Sequence, residues 1–178
     1  MNVKNFNREG KEMRDAVDLI TEHWHTARPD VDVSPMAIIG RINRISRVLE
    51  QELKQFFAGH GLERWEFDVL ATLRRSGGEV GLTAGALNRA AMITSGAITN
   101  RIDRLAAKNL VRRVPSPDDR RSIFVQLTAE GRELVDRLLP LHVANEQRLL
   151  AALGSTDRAQ LADLLRTLAV ALNDTTLD

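Results

Sequence analysis

Over most of the chain, apolar residues recur at three- and four-residue spacing, a pattern that predicts a succession of helices. Residues 15–27 carry Val17, Ile20, Trp24 and Ala27 on one side, with Met13 just ahead, and Arg28-Pro29-Asp30 ends that helix. After a loop over 29–33, Ser34-Pro35 opens a second helix, expected to run to about Ala58 and stop at Gly59-His60-Gly61. A third is expected over 63–75, closed by Ser76-Gly77-Gly78. Residues 82–91 predict a short helix joined by a tight turn to another, capped by Thr94 and burying Ile98, Ile102 and Leu105. The period then changes. Leu110, Val111 and Val114 precede Pro115-Ser116-Pro117-Asp118-Asp119-Arg120-Arg121, and Ile123, Val125 and Leu127 follow at alternate positions, which predicts a two-stranded hairpin around a longer loop. Helical spacing returns over 128–153, with a bend expected at Pro140, and over 155–173, with Ser155-Thr156 as the cap.

A helix-turn-helix followed by a β-ribbon predicts a fold that is mainly α with a small hairpin: a winged helix with flanking helices at both ends. Opposite the stripe of Ile98, Ile102 and Leu105 lie Gly96, Asn100, Asp103 and Arg104, with Ser95 and Thr99 on one flank. Short hydroxyl and amide side chains let a helix approach a major groove, and Asn or Arg can read purine edges bidentately. Arg120 and Arg121 sit at the hairpin tip, where a ribbon can reach the narrow, strongly negative minor groove. The expected DNA-contact set is therefore Ser95, Thr99, Asn100, Arg104, Arg120 and Arg121. For both tip arginines an internal ion pair with Asp119 that shapes the turn is the competing role.

Leu87, Ser95, Ile98, Thr99-Asn100-Arg101, Leu105, Leu110-Val111 and, above all, Asp119-Arg120-Arg121 followed by Leu127-Thr128 resemble the MarR family of bacterial regulators. The resemblance spans roughly residues 35–173. It implies a homodimer, a recognition helix in the major groove, a wing on the minor groove, and a ligand-responsive transcription factor, usually a repressor. It divides the chain into an N-terminal extension (1–34), a helical dimerisation region (35–58 and 128–178) and a DNA-binding region (62–127), all within one continuous domain. The extension, with Trp24 on its inward side, is similar to the urate-responsive branch, which also answers to other small organic anions. By that likeness the ligand-binding residues are Trp24, Asp68 and Arg101, with Thr99 supplying a hydroxyl. Arg101 lies about 60° from Ile98 and about 40° from Leu105 around the helix, at the margin of the buried stripe. A guanidinium there can hold a planar carboxylate or urate-like anion, and an indole can wall off an aromatic ring. The alternatives stay open: Trp24 as packing for the extra helix, Arg101 as a phosphate contact or as an ion-pair partner of Asp68.

Composition and charge refine this picture. The chain has 178 residues, 43% of them hydrophobic, enough for one good core. Net charge is only +1, yet between positions 94 and 121 seven Lys or Arg stand against three Asp or Glu, leaving −3 elsewhere. Having no cysteine excludes disulfides, thiolate metal sites and thiol redox sensing. His23 and His25 lie about 200° apart on a helix and cannot share a metal. No Gly-x-Ser-x-Gly elbow or phosphate-binding Gly-rich loop points to an enzyme, and no cofactor is expected. The charged N-terminus and the lack of any run of roughly 18 apolar residues predict a cytoplasmic protein, on the nucleoid when bound to DNA.

Leu134, Leu138, Leu141, Leu149, Leu150 and Leu153, followed by Leu161, Leu164, Leu165, Leu168 and Leu172, exceed what a small winged helix can cover. Two-fold pairing through these helices and residues 35–58 would set two recognition helices on one face of DNA, so a pseudo-palindromic operator is expected. The partners expected are thus double-stranded DNA, a second copy of the chain, and a small organic anion such as urate or a phenolic or carboxylate compound. The rival readings are a constitutive or architectural DNA-binding dimer without a ligand, and a helical protein-interaction module.

Overall fold

The computed structural model describes residues 14–76, 78–90, 98–116 and 122–176. Seven helices and three strands are described: α1 (Ala16–Ala27), α2 (Ser34–Ala58), α3 (Arg64–Ser76), β1 (Leu82–Thr83), α4 (Ala84–Ala90), α5 (Ile98–Ala107), β2 (Val111–Pro115), β3 (Ile123–Leu127), α6 (Ala129–Leu149) and α7 (Ser155–Ala171). The chain is mainly helical with a small antiparallel sheet, as the sequence predicts. Two compact units organise it, Met1–Glu52 and Leu53–Asp178.

In the first unit, Asp15 caps α1: its carboxylate accepts from the Val17 and Asp18 amides, and the Asp18 carboxylate accepts from the Asp15 amide. Val17 is buried against Gly40 of α2, where an added Cβ would stand 3.2 Å from a Val17 methyl. Arg41 fixes the pair of helices by reaching Asp15 at 2.8 Å and Asp18 at 2.6 Å. The Asp15 amide, then Arg41, hold the Asp18 carboxyl below its usual range. Ile20 and Trp24, expected to face inward with Val17, are instead exposed, at 44% and 43%. So are Met36, Ile38, Ile39, Ile45 and Val48 on α2. The α2 start is also organised from further upstream than expected, with Asp32 accepting from the Ser34 amide and hydroxyl.

In the second unit, α3, α4, α5, the sheet and α6 enclose one core. Phe57, Phe67, Leu70, Leu87, Ile102, Leu105, Val125 and Leu138 are among its buried members. Phe57 stacks on Phe67 with centroids 4.7 Å apart. Glu63 precedes α3, and its amide donates to the carboxylate of Glu66, a residue with no exposed surface. Lys108, just past α5, closes on that buried carboxylate at 2.7 Å.

The predicted hairpin forms with Val111 opposite Leu127 and Pro115 opposite Ile123. A third strand, at positions where the sequence predicts the start of a helix, lies on its other side: Leu82 and Thr83 pair with Val125 and Phe124, giving the order β1-β3-β2. Thr83 then accepts from the Ala86 amide, so the strand hands directly into α4. Gly81 makes this possible, since its φ is +87° and an added Cβ would fall 2.3 Å from the Val125 carbonyl oxygen. Ile123 is exposed although Val125 is buried, because towards its tip the ribbon runs beyond the core.

At the base of the wing, Thr128 caps α6. Its hydroxyl accepts from the Gly131 amide and donates to the Asn109 carbonyl, while its own amide donates to Leu110. Helix α6 continues through Pro140 to Leu149, where a short turn ends it ahead of the expected 153. Helix α7 is preceded by Gly154, without a side-chain cap, and Ser155 is its first residue, a correction to the predicted Ser155-Thr156 cap. No residue of α7 is buried. Among the described residues, no helix is long and apolar enough to cross a membrane.

Candidate nucleic-acid interface

Helix α5 buries Ile98, Ile102 and Leu105 and leaves Thr99, Asn100, Asp103 and Arg104 exposed, with Arg101 half-buried at the edge. This is the division predicted by a 3.6-residue period, and it presents a hydroxyl and an amide on the helix's open side. The sheet stands beside it: Arg113 of β2 reaches back to Asp103 at 2.6 Å. Arg112 donates to Gln126, whose amide donates to the Val80 carbonyl. Arg75, at the end of α3, donates to the Ala90 carbonyl and so tethers the last residue of α4. Ser95, Arg120 and Arg121, together with the expected cap Thr94, lie outside the described residues.

A residue that the sequence pattern does not single out organises the opposite flank of α5. Trp65, in the first turn of α3, is half-buried against the core and donates its indole N–H to Glu63 at 2.6 Å. The Arg104 guanidinium carbon lies 4.9 Å from the centroid of the Trp65 ring and that of Arg101 5.3 Å from it, both within cation–π range. Arg104 also pairs with Glu63. Arg104 first, then the Trp65 indole, hold the Glu63 carboxyl below its usual range. The signal in the sequence was the i, i+3 spacing of Arg101 and Arg104, which puts two guanidinium groups on one side of a helix.

Of the residues linked to ligand binding, Asp68, Thr99 and Arg101 belong to the second unit and Trp24 to the first. Asp68 pairs with Arg64 at 3.9 Å, one turn earlier on α3. Its side chain is half-exposed by area, yet crowding around the carboxyl raises its pKa against the pull of Arg64, His142, Arg75 and Arg101. Trp24 lines a groove of about 340 Å³ with Arg28, Val31, Val33 and Met36. No cluster of His, Cys, Asp or Glu among the described residues could hold a metal ion.

A family model described as MarR family matches residues 60–122, the stretch from the approach to α3 through the wing tip. The chain is 38% identical over 146 residues to the HTH-type transcriptional regulator PecS of Dickeya dadantii, covering 82% of this chain and 88% of that one. The chain belongs to the MarR family. Among solved structures, this MarR-family protein is similar to AbsC, a MarR family transcriptional regulator from Streptomyces coelicolor, with a TM-score of 0.71 at 25% identity over 82% of this chain and 98% of that one. It is also similar to BpsR of Bordetella bronchiseptica, whose DNA binding is regulated by 6-hydroxynicotinic acid. There the TM-score is 0.65 at 26% identity, over 73% of this chain and 91% of BpsR. As a MarR-family member it is a DNA-binding transcriptional regulator and not an enzyme, and α5 with the adjoining sheet is its candidate interface.

Proposed function

We propose that the chain is a cytoplasmic homodimeric repressor that binds a pseudo-palindromic operator and releases it on capturing a small aromatic or organic anion of the urate or phenolic-carboxylate type. The observation that carries the DNA half is the exposed Thr99 and Asn100 pair on α5, backed by a buried stripe and flanked by a wing. Ser95, Arg104, Arg120 and Arg121 complete the proposed contact set. Support for the dimer comes from the uncovered apolar faces of α2 and α7.

For the effector, the proposed residues are Trp24 in the first unit and Asp68, Thr99 and Arg101 in the second. Arg101 supports this reading because it sits on the recognition helix itself, so an anion drawing on its guanidinium pulls on the element that reads DNA. The regulation of BpsR by an aromatic hydroxy acid is a precedent for the chemical class.

The test is fluorescence anisotropy of the protein on a duplex from its own upstream intergenic region, titrated with urate, salicylate, citrate and 6-hydroxynicotinate. Saturable release by one of these, lost in Trp24→Phe and in Arg101→Ala, is expected. DNA binding unmoved by every anion would return the protein to a constitutive DNA-binding dimer.

A further inference from the structure

We propose that Glu63 is an internal rival of DNA: in the free protein it holds Arg104 on the face of Trp65, and this hold must open for Arg104 to reach a phosphate. The inference rests on the DNA-binding reading of α5 and goes beyond it.

Arg104 lies one turn beyond Asn100, on the same side of α5, about 6 Å along the axis. Its side chain is 49% exposed, so it has room to swing, yet both of its attractive surfaces are occupied. The guanidinium lies over the indole at 4.9 Å and pairs with Glu63 Oε1, while the indole N–H fixes Glu63 Oε2. A carboxylate and a phosphate offer a guanidinium the same forked acceptor geometry, so they compete for one cation.

The neighbouring cations differ in what they would leave behind. Lys108 cannot depart without stranding Glu66, which has no exposed surface, and a buried unpaired carboxylate is strongly unfavourable. Arg113 extends from the sheet, opposite buried Val125, and spends its reach on Asp103. Glu63, unlike Glu66, is 53% exposed and keeps its Trp65 hydrogen bond when Arg104 leaves, so water can take over the vacated oxygen at little cost. Glu63 thus sets how readily the recognition helix commits to any DNA backbone, and the effect falls on operator and unrelated DNA alike because phosphates carry no sequence.

Glu63→Gln removes the charge but keeps an acceptor for Trp65. With the full-length protein, its affinity for both the upstream duplex and an unrelated duplex is expected to rise about two- to fivefold, the scale of an exposed ion pair. In an Arg104→Ala background the same substitution should change nothing. With Trp24→Phe leaving Trp65 as the single indole, DNA binding should alter the emission of Trp65 as the guanidinium leaves its ring. An affinity unchanged by Glu63→Gln, or a gain that persists without Arg104, overturns the proposal while leaving DNA binding intact. A wild-type protein that binds neither duplex overturns both.

Discussion

Asp68 shows how far a single side chain departs from its reading as a letter. Its position on α3, away from Val69, Leu70 and Leu73, suggests a solvated carboxylate or a partner for Arg101, and in the structure its ion pair is with Arg64. Crowding raises its pKa, so the folded protein holds that proton more tightly than the unfolded chain does. Ionised Asp68 therefore lowers stability at neutral pH, and the penalty fades as pH falls through the raised range, vanishing below the ordinary value of 3.8. Asp68→Asn should raise the melting temperature at pH 7, with a gain that shrinks in acid. A lower melting temperature at pH 7 would mean that Arg64 outweighs the crowding. Trp65 was harder to read, because an aromatic in the first turn of an apolar-striped helix looks like core. Its polar role depends on Arg101 and Arg104, which lie more than thirty positions away in sequence.

At the scale of elements, the long helices and the hairpin were legible because each repeats its period several times. The two-residue strand β1 has too few residues to show alternation, and it exists because β3 has an open edge and Gly81 allows close approach. The start of α7 differs from its prediction because Ser and Thr are good caps in general, while the backbone here turns at Gly154. The junction of wing and α6 was partly readable from Leu127-Thr128, whereas the role of Gly131 was not. A Cβ at that position would stand 2.0 Å from the Leu110 carbonyl oxygen, which is backbone and cannot step aside. Gly131→Ala should therefore destabilise by about 1–3 kcal/mol in urea unfolding, although alanine is the better helix former. A stabilised variant would show that the junction can relax.

At the scale of the whole molecule, the excess of apolar surface was plain in the sequence and stands uncovered in the structure. Leu164 is 61% exposed, Leu161, Leu165 and Leu168 continue the stripe on a helix that buries nothing of its own, and Leu172 just past its end is 70% exposed. For the homodimer proposed above, replacing Leu164 and Leu168 together by Glu should shift the sedimentation velocity from dimer to monomer while the helical circular dichroism persists. An unaltered dimer would move the interface elsewhere. The concentration of basic residues over 94–121 was equally legible. The sequence could not show that Arg104, Lys108 and Arg113 are each already paired with an acid, since two of those acids lie on the far side of the helix-turn-helix.

Thr128 joins the wing to a helix of 21 residues, about 30 Å long. With one hydroxyl bonded both to Asn109 and to the first turn of α6, and Gly131 pressed on Leu110, hairpin base and helix share a single pivot. Re-aiming the hairpin by about 10° then requires the far end of α6 to travel about 5 Å, a gearing set by that length. Small jostling at the distal end is thereby scaled down before it reaches the ribbon, and only a concerted, ångström-scale stroke is passed on as a change of aim.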